Sequence, residues 1–269
     1  MAHSGDLTPT TLLCDADGNL FGSEEPAFAA GTEVMNAFLA SFGVAHRYSA
    51  EELRLASPGQ AFRTTSLELA FRHGISTESA LAPGRSVEVH GQGCRVLSVD
   101  GLEQWVEKEL HAVTRHLGAV LRPDPEVLGP LTRLAGRYRM AAVSSSAHVR
   151  LAACFRASGL DVLLPQVVRF SAEDSLPVPT SKPHPAVYLH ACEVLGIAAD
   201  EAVAVEDSEI GARAAVAAGI PTVGNLQFVP AAERTRRTEQ LYDVGVLLVV
   251  SSWADLEQRL EAGRTSAQQ

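Results

Sequence analysis

A short apolar run that ends abruptly in two carboxylates sets the first constraint on this chain. Leu12-Leu13-Cys14 reads as a buried parallel strand, and Asp15-Ala16-Asp17-Gly18-Asn19-Leu20 follows it without a break. In a continuing strand, residues two apart share a face, so Asp15 and Asp17 would be forced together. Two like charges at close range are costly unless a cation lies between them or one side chain turns away. Gly18 ends the strand in a tight loop, where backbone amides can point at a ligand. A strand running into an ordinary polar turn explains the same stretch equally well, so the meaning of the pair depends on the rest of the chain.

After Leu20 the spacing turns helical. Phe28, Val34, Met35, Phe38, Leu39 and Phe42 fall on one stripe of a helix from near Glu24 to Gly43. A second helical region spans about Ala50 to Arg72 and breaks at Ser57-Pro58-Gly59. Gly74 to Val99 is irregular, either a small hairpin across Gly91-Gln92-Gly93 or a long loop. Leu102, Trp105, Val106, Leu110, Val113 and Leu117 then restore helical spacing. Residues 22–118 thus read as a mainly helical block inserted after the first strand, with 1–21 and 119–269 forming the other domain.

From Arg122 strand and helix alternate. The predicted strands are Arg139–Ser144, Gln166–Phe170, Ala202–Val205, Pro221–Val223 and Val246–Val250. The predicted helices are Pro125–Gly136, His148–Ser158, Pro185–Leu195, Glu209–Ala218 and Trp253–Leu260, with a frayed tail from Gly263. Such alternation implies right-handed crossovers and a parallel sheet covered on both faces, a Rossmann-like α/β core.

The formal net charge of −10 argues against a nucleic acid or an anionic membrane as partner. An acidic protein handling an anionic substrate must hold it with a metal, a lysine or backbone amides. The cysteines, Cys14, Cys94, Cys154 and Cys192, are scattered without metal-ligand spacing and read as reduced thiols of a cytoplasmic protein. Met1 to Thr11 has no signal-peptide pattern, and the longest apolar candidate, Val244 to Val250, is strand-sized.

Ligands of open parallel sheets bind beyond the carboxyl ends of the strands. That rule gathers Asp15 and Asp17, Ser144, Glu206 and Asp207, and the Lys182 loop at one rim. Singly they are weak signals: Ser144 could cap the helix at His148, and Asp207 or Ser208 the helix near Glu209. Together they suit phosphoryl transfer. Several carboxylates at one rim need a divalent cation, and hard oxygen ligands favour Mg²⁺. Phosphate would be held by the Ser144 hydroxyl, by Lys182 and by loop amides such as those of Ser145 and Gly18. One carboxylate can attack phosphorus while another moves the proton.

Four motifs in this order resemble the haloacid dehalogenase superfamily, in its branch of small phosphatases and β-phosphoglucomutase-like proteins with a helical cap. They are Asp15-Ala-Asp17-Gly-Asn-Leu, Val143-Ser144-Ser145-Ser146, Ser181-Lys182-Pro183-His184-Pro185 and Val205-Glu206-Asp207-Ser208. The resemblance implies Asp15 as nucleophile and metal ligand, and Asp17 as general acid and base with its carbonyl on the metal. It further implies Ser144 and Lys182 on phosphate, Asp207 and Glu206 on Mg²⁺, and the helical insertion as the cap. The chain departs from the family pattern at Asn19, read as a harmless change from Thr or Val, at Ala186, and in the long stretch Ser171–Thr180. The reading is a Mg²⁺-dependent phosphatase of a small phosphorylated metabolite, with a β-phosphoglucomutase-type isomerase as the alternative. A non-catalytic binding protein is disfavoured because every chemical position is filled. Near the break in the cap, Ser57, Gln60 and Arg63 either face substrate or form a solvated surface.

Overall fold

The computed structural model describes residues 9–56, 61–81 and 95–267. They form two compact units, one made of the described residues within 1–23 and 120–269 and the other of those within 24–119.

The first strand, β1 (Thr11–Cys14), is wholly buried. The inserted unit follows, with α1 (Glu24–Ser41), α2 (Ala50–Ala56), α3 (Phe62–Arg72) and α4 (Val99–Val120). Phe38 and Leu39 of α1 are completely buried and pack with Leu53, Leu69, Leu97 and Leu102. Trp105 meets Phe38 edge-on, ring centroids 5.7 Å apart. The break at 57–60 and the hairpin expected across Gly91 to Gly93 lie outside the described residues.

The chain then runs through α5 (Pro125–Ala135), β2 (Arg139–Ser144), α6 (His148–Ser158), β3 (Arg169–Ser171), α7 (Ala186–Leu195) and β4 (Ala202–Glu206). It closes with α8 (Glu209–Ala217), β5 (Thr222–Asn225), α9 (Arg234–Asp243), β6 (Leu248–Val250) and α10 (Trp253–Ala267). The six strands form one parallel sheet in the order β3-β2-β1-β4-β5-β6, the doubly wound Rossmann-like arrangement. Leu13, Ala141 and Val143 of the sheet pack against Val187, Tyr188, Ala214 and Ala215 of α7 and α8. Alanines on both sides let those helices approach the strands closely.

Three elements differ from the sequence reading. Gln166–Val168 is a 3-10 turn after Pro165, and the strand proper begins at Arg169. The helix α10 runs on to Ala267, because Gly263 alone does not stop it. The helix α9 was not anticipated. Its sequence is polar on nearly every face, and Leu241 is its one buried residue, so apolar periodicity has nothing to detect.

Helix ends are set locally. Asp124 accepts from Glu126 N at 2.9 Å to start α5, and Ser208 accepts from Gly211 N at 3.1 Å to start α8. The first turn of α6 is capped from a distance, its His148 N donating to Asp174 Oδ2 at 2.5 Å. Ser144 therefore does not cap α6, and Ser208 rather than Asp207 caps α8. Both residues named at the rim are left for other work.

Candidate active site

The sheet order places β1 beside β4 at the point where the chain reverses direction across the sheet, the usual ligand crevice of such folds. Cys14 pairs with Val205 in register, and Asp15 N donates to Val205 O at 2.9 Å, so Asp15 and Glu206 leave the sheet side by side. Asp15, Glu206 and Asp207 are all buried, and one carboxylate oxygen of each lies within 4.8 Å of the others.

Lys182 holds this cluster together. Its Nζ donates to Asp15 Oδ1 at 2.5 Å, to Glu206 Oε1 at 2.7 Å and to Val143 O at 2.9 Å. Tyr188, in the first turn of α7, donates its hydroxyl to Glu206 Oε1 at 2.5 Å and sets its ring 5.1 Å from the ammonium. Burial pushes the Asp15 carboxyl well above the usual carboxylate range; Lys182 pulls it back and Glu206 pushes it up again. Burial works against the Lys182 charge, but Asp15 and Glu206 outweigh it and hold the ammonium above its ordinary value. Burial, and then Glu206, keeps the Tyr188 phenol protonated far above its usual range.

Asp17 is treated differently. Its carboxylate stands apart from the three-acid cluster, accepting from Ser23 Oγ at 2.6 Å and Ser146 Oγ at 2.8 Å. Ser144 Oγ lies 3.4 Å from Asp17 Oδ2, the oxygen that Ser146 holds, and itself accepts from Ser146 N. The two aspartates that a continuing strand would crowd are separated by the turn at Gly18, whose φ is 76°. Gly18 N, expected to face phosphate, donates instead to Phe21 O at 3.0 Å, within this turn.

The donor set suits a hard divalent cation. All its atoms are carboxylate oxygens, and Glu206 Oε2 is buried with no hydrogen-bond partner. Only glycine fits beneath that carboxylate: a Cβ on Gly211 would lie 1.9 Å from Glu206 Oε2. The positive end of α8 is favourable for Glu206 and Asp207. From α9, Arg237 donates to Asp207 O at 2.6 Å, with its guanidinium 3.7 Å from Asp207 Oδ2.

The fold thus brings Asp15, Asp17, Ser144, Lys182, Glu206 and Asp207 together, with Ser145 half-buried at the end of β2. Arg63 lies in the inserted unit, where it pairs with Glu103. Gln60 falls outside the described residues. Cys14, Cys154 and Cys192 are free and buried, and burial raises the Cys154 thiol to about 12, so none is a ready nucleophile. Ser23, Ser146, Tyr188 and Arg237 had no role in the sequence reading. Tyr188 could have been noticed as the one hydroxyl in the buried stripe Val187, Tyr188, Ala191 and Cys192. Among the described residues, no helix is long and apolar enough to cross a membrane.

Comparison with known proteins agrees with this geometry. A family model for haloacid dehalogenase-like hydrolases matches residues 11–219. A family hydrolase from Deinococcus radiodurans, solved with bound phosphate and sodium, is similar at 24% identity and TM-score 0.61, over 96% of this chain and 97% of that one. CbbY from Rhodobacter sphaeroides, solved with xylulose-(1,5)bisphosphate, is similar at 21% identity and TM-score 0.61, over 93% and 96%. A β-phosphoglucomutase-like protein from Thermotoga maritima is similar at 20% identity and TM-score 0.60, over 94% and 98%. No protein of curated function matches the sequence. With the family model covering more than three-quarters of its length, the chain belongs to the haloacid dehalogenase-like hydrolases.

Proposed function

We propose that this hydrolase is a Mg²⁺-dependent phosphatase of small phosphomonoesters, of the sugar or polyol phosphate class, working through an aspartyl-phosphate. One observation carries the reading: a single lysine ammonium grips Asp15 inside a buried three-acid cluster, while Asp17 is held outside it by serine hydroxyls. Asp15, Glu206, Asp207 and the Asp17 carbonyl would hold the ion, which when bound neutralises phosphate charge and lets an anion approach these carboxylates.

An Asp15 carboxylate oxygen attacks phosphorus as the ester P–O bond breaks, and Asp17 gives its proton to the leaving oxygen. Asp17, now a carboxylate, takes a proton from water. The hydroxide attacks the phosphorus of the aspartyl-phosphate, releasing phosphate and restoring Asp15. Lys182 and the Ser144 hydroxyl, with the Ser145 amide, bind the transferring phosphoryl oxygens. In this reading the inserted unit serves as the cap and the protein acts in the cytoplasm.

A mutase built from the same groups needs a second phosphate site. Of the basic candidates Arg54, Arg63, Arg72 and Arg85, the first two pair with Glu51 and Glu103 on an exposed surface and Arg85 lies outside the described residues; a hydrolase needs no such site and is the plainer reading. The sugar bisphosphate and phosphate bound by the Rhodobacter and Deinococcus relatives support a small phosphorylated substrate.

A panel of phosphorylated metabolites, with phosphate release as readout, tests the proposal. We expect turnover of at least one sugar or polyol phosphate, abolished by chelator and by Asp15→Asn, with folding intact. Undiminished release by that variant overturns the mechanism. Conversion of β-glucose 1-phosphate to glucose 6-phosphate without free phosphate establishes the mutase instead.

A further inference from the structure

Asn19, the residue that replaces Thr or Val after the motif glycine, is completely buried and every polar atom of its side chain is engaged. Its Nδ2 donates to Asp15 O at 3.0 Å and to Val205 O at 2.9 Å. Its Oδ1 accepts from Asn225 Nδ2 at 2.8 Å. The orientation of this amide is fixed by its surroundings. Gln227 N, which can only donate, meets Asn225 Oδ1 at 3.1 Å, so Asn225 must turn its NH₂ towards Asn19. Asn19 must therefore present its oxygen there and its NH₂ to the two carbonyls. The circuit closes through α10: Trp253 N donates to Gln227 Oε1 at 3.2 Å, and Trp253 Nε1 to Asn19 O at 2.9 Å.

The two carbonyls gripped by the Asn19 amide matter for the site. One belongs to Asp15 and the other to the residue before Glu206, so one NH₂ group ties together the backbone ends that carry two of the three clustered acids. Asn225 and Trp253 lie beyond the residues the family model matches. We propose that Asn19 is a positioning residue: it sets the separation of Asp15 and Glu206 for metal binding, with Asn225 locking its side-chain amide in the working orientation and Trp253 holding its backbone carbonyl. This inference rests on the acid cluster being the metal-dependent phosphatase centre.

The test uses Asn19→Val, which removes both donors, with Asn225→Ala, which frees the amide, and Trp253→Phe, which frees the Asn19 backbone carbonyl, neither touching the acids. Removing a partner behind a metal ligand typically weakens metal affinity by about 10- to 100-fold. Calorimetric titration of the metal-free protein with Mg²⁺ should show a loss of that size for Asn19→Val and smaller losses for the other two. On a phosphomonoester substrate, kcat should fall while KM stays within about twofold, because the substrate's own contacts survive. Should Asn19→Val fail to fold, the other two variants carry the test. A lower Tm with unchanged Mg²⁺ affinity and kcat in the folded variants assigns the network to folding alone and overturns the proposal. A wild-type protein that neither binds a divalent cation nor releases phosphate ends the phosphatase reading instead. That outcome removes the positioning role as well, and it is told apart from a folding-only network by the wild type, which in the latter case still binds Mg²⁺.

Discussion

At the sheet rim, the side chains of Lys182, Asp15 and Glu206 are 5%, 10% and 0% exposed, and the ammonium touches both carboxylates. In the inserted unit, the pairs Arg47–Glu33, Arg54–Glu51 and Arg63–Glu103 have side chains between 42% and 72% exposed. Coulomb attraction operates in both places, but its surroundings reverse its meaning. An exposed pair loses little hydration and gains little, with a typical worth of about 0.2–1 kcal/mol. A buried cluster forfeits hydration worth several kcal/mol per ion, and hydrophobic groups of equal volume often serve stability as well or better. Three acids and one lysine buried at a rim are thus poorly explained as a folding device. They are what a site for an anion and its cation requires.

Lys182→Met gives the largest expected effect. It leaves Asp15 and Glu206 buried and adjacent without their counter-charge, and breaking a buried pair this way destabilises by about 3–5 kcal/mol. Urea unfolding of the metal-free protein measures this, and Mg²⁺ should restore part of the loss in the variant. A loss under about 1 kcal/mol would place the rim on the same footing as the exposed pairs and break the comparison.

Gly211→Ala comes next. In an exposed helix interior, Gly to Ala gains up to about 1 kcal/mol. Here the new Cβ would lie 1.9 Å from Glu206 Oε2 and 2.4 Å from its Cδ, so the carboxylate must leave Lys182 and Tyr188. Overpacking of that kind costs about 1–3 kcal/mol, which reverses the usual sign. Thermal unfolding together with Mg²⁺ titration checks both consequences. A stabilised variant with unchanged metal affinity would show that Glu206 is free to move.

The contrast also explains what could be read in the sequence. Asp15, Asp17, Ser144, Lys182, Glu206 and Asp207 were legible because each ends a strand or sits in a short loop, where an apolar run gives way to a polar group. The alternation of strand and helix was legible for the same reason, and with it the α/β core. What stayed hidden depends on partners far apart in the chain. Asn19 meets Val205 and Trp253 across 186 and 234 positions, and nothing local to Asn19 announces either contact. Arg237 reaches Asp207 from a helix that apolar periodicity could not see. Ser23 and Ser146 read as ordinary loop serines until the turn at Gly18 carries Asp17 to them.

The smallest expected effect belongs to Arg63 and Glu103, and it bears on both units. Their hydrogen bond, more than the burial that opposes it, holds the Glu103 carboxyl below its ordinary value. A carboxyl depressed in the folded state adds stability that is fully present above its unfolded pKa, near 4.5, and lost as pH falls through the folded value. A double-mutant cycle of Arg63→Ala and Glu103→Gln should therefore give a coupling of about 0.2–1 kcal/mol at neutral pH. That coupling should shrink with added salt and vanish in acid. A coupling several times larger, insensitive to salt, would mean that the pair is sequestered like the rim. The same Arg63→Ala variant examines the site from the other direction. A solvated arginine satisfied by Glu103 should leave KM for the preferred phosphomonoester unchanged. A rise in KM with kcat intact would instead make Arg63 a substrate contact that exchanges its glutamate for phosphate during turnover.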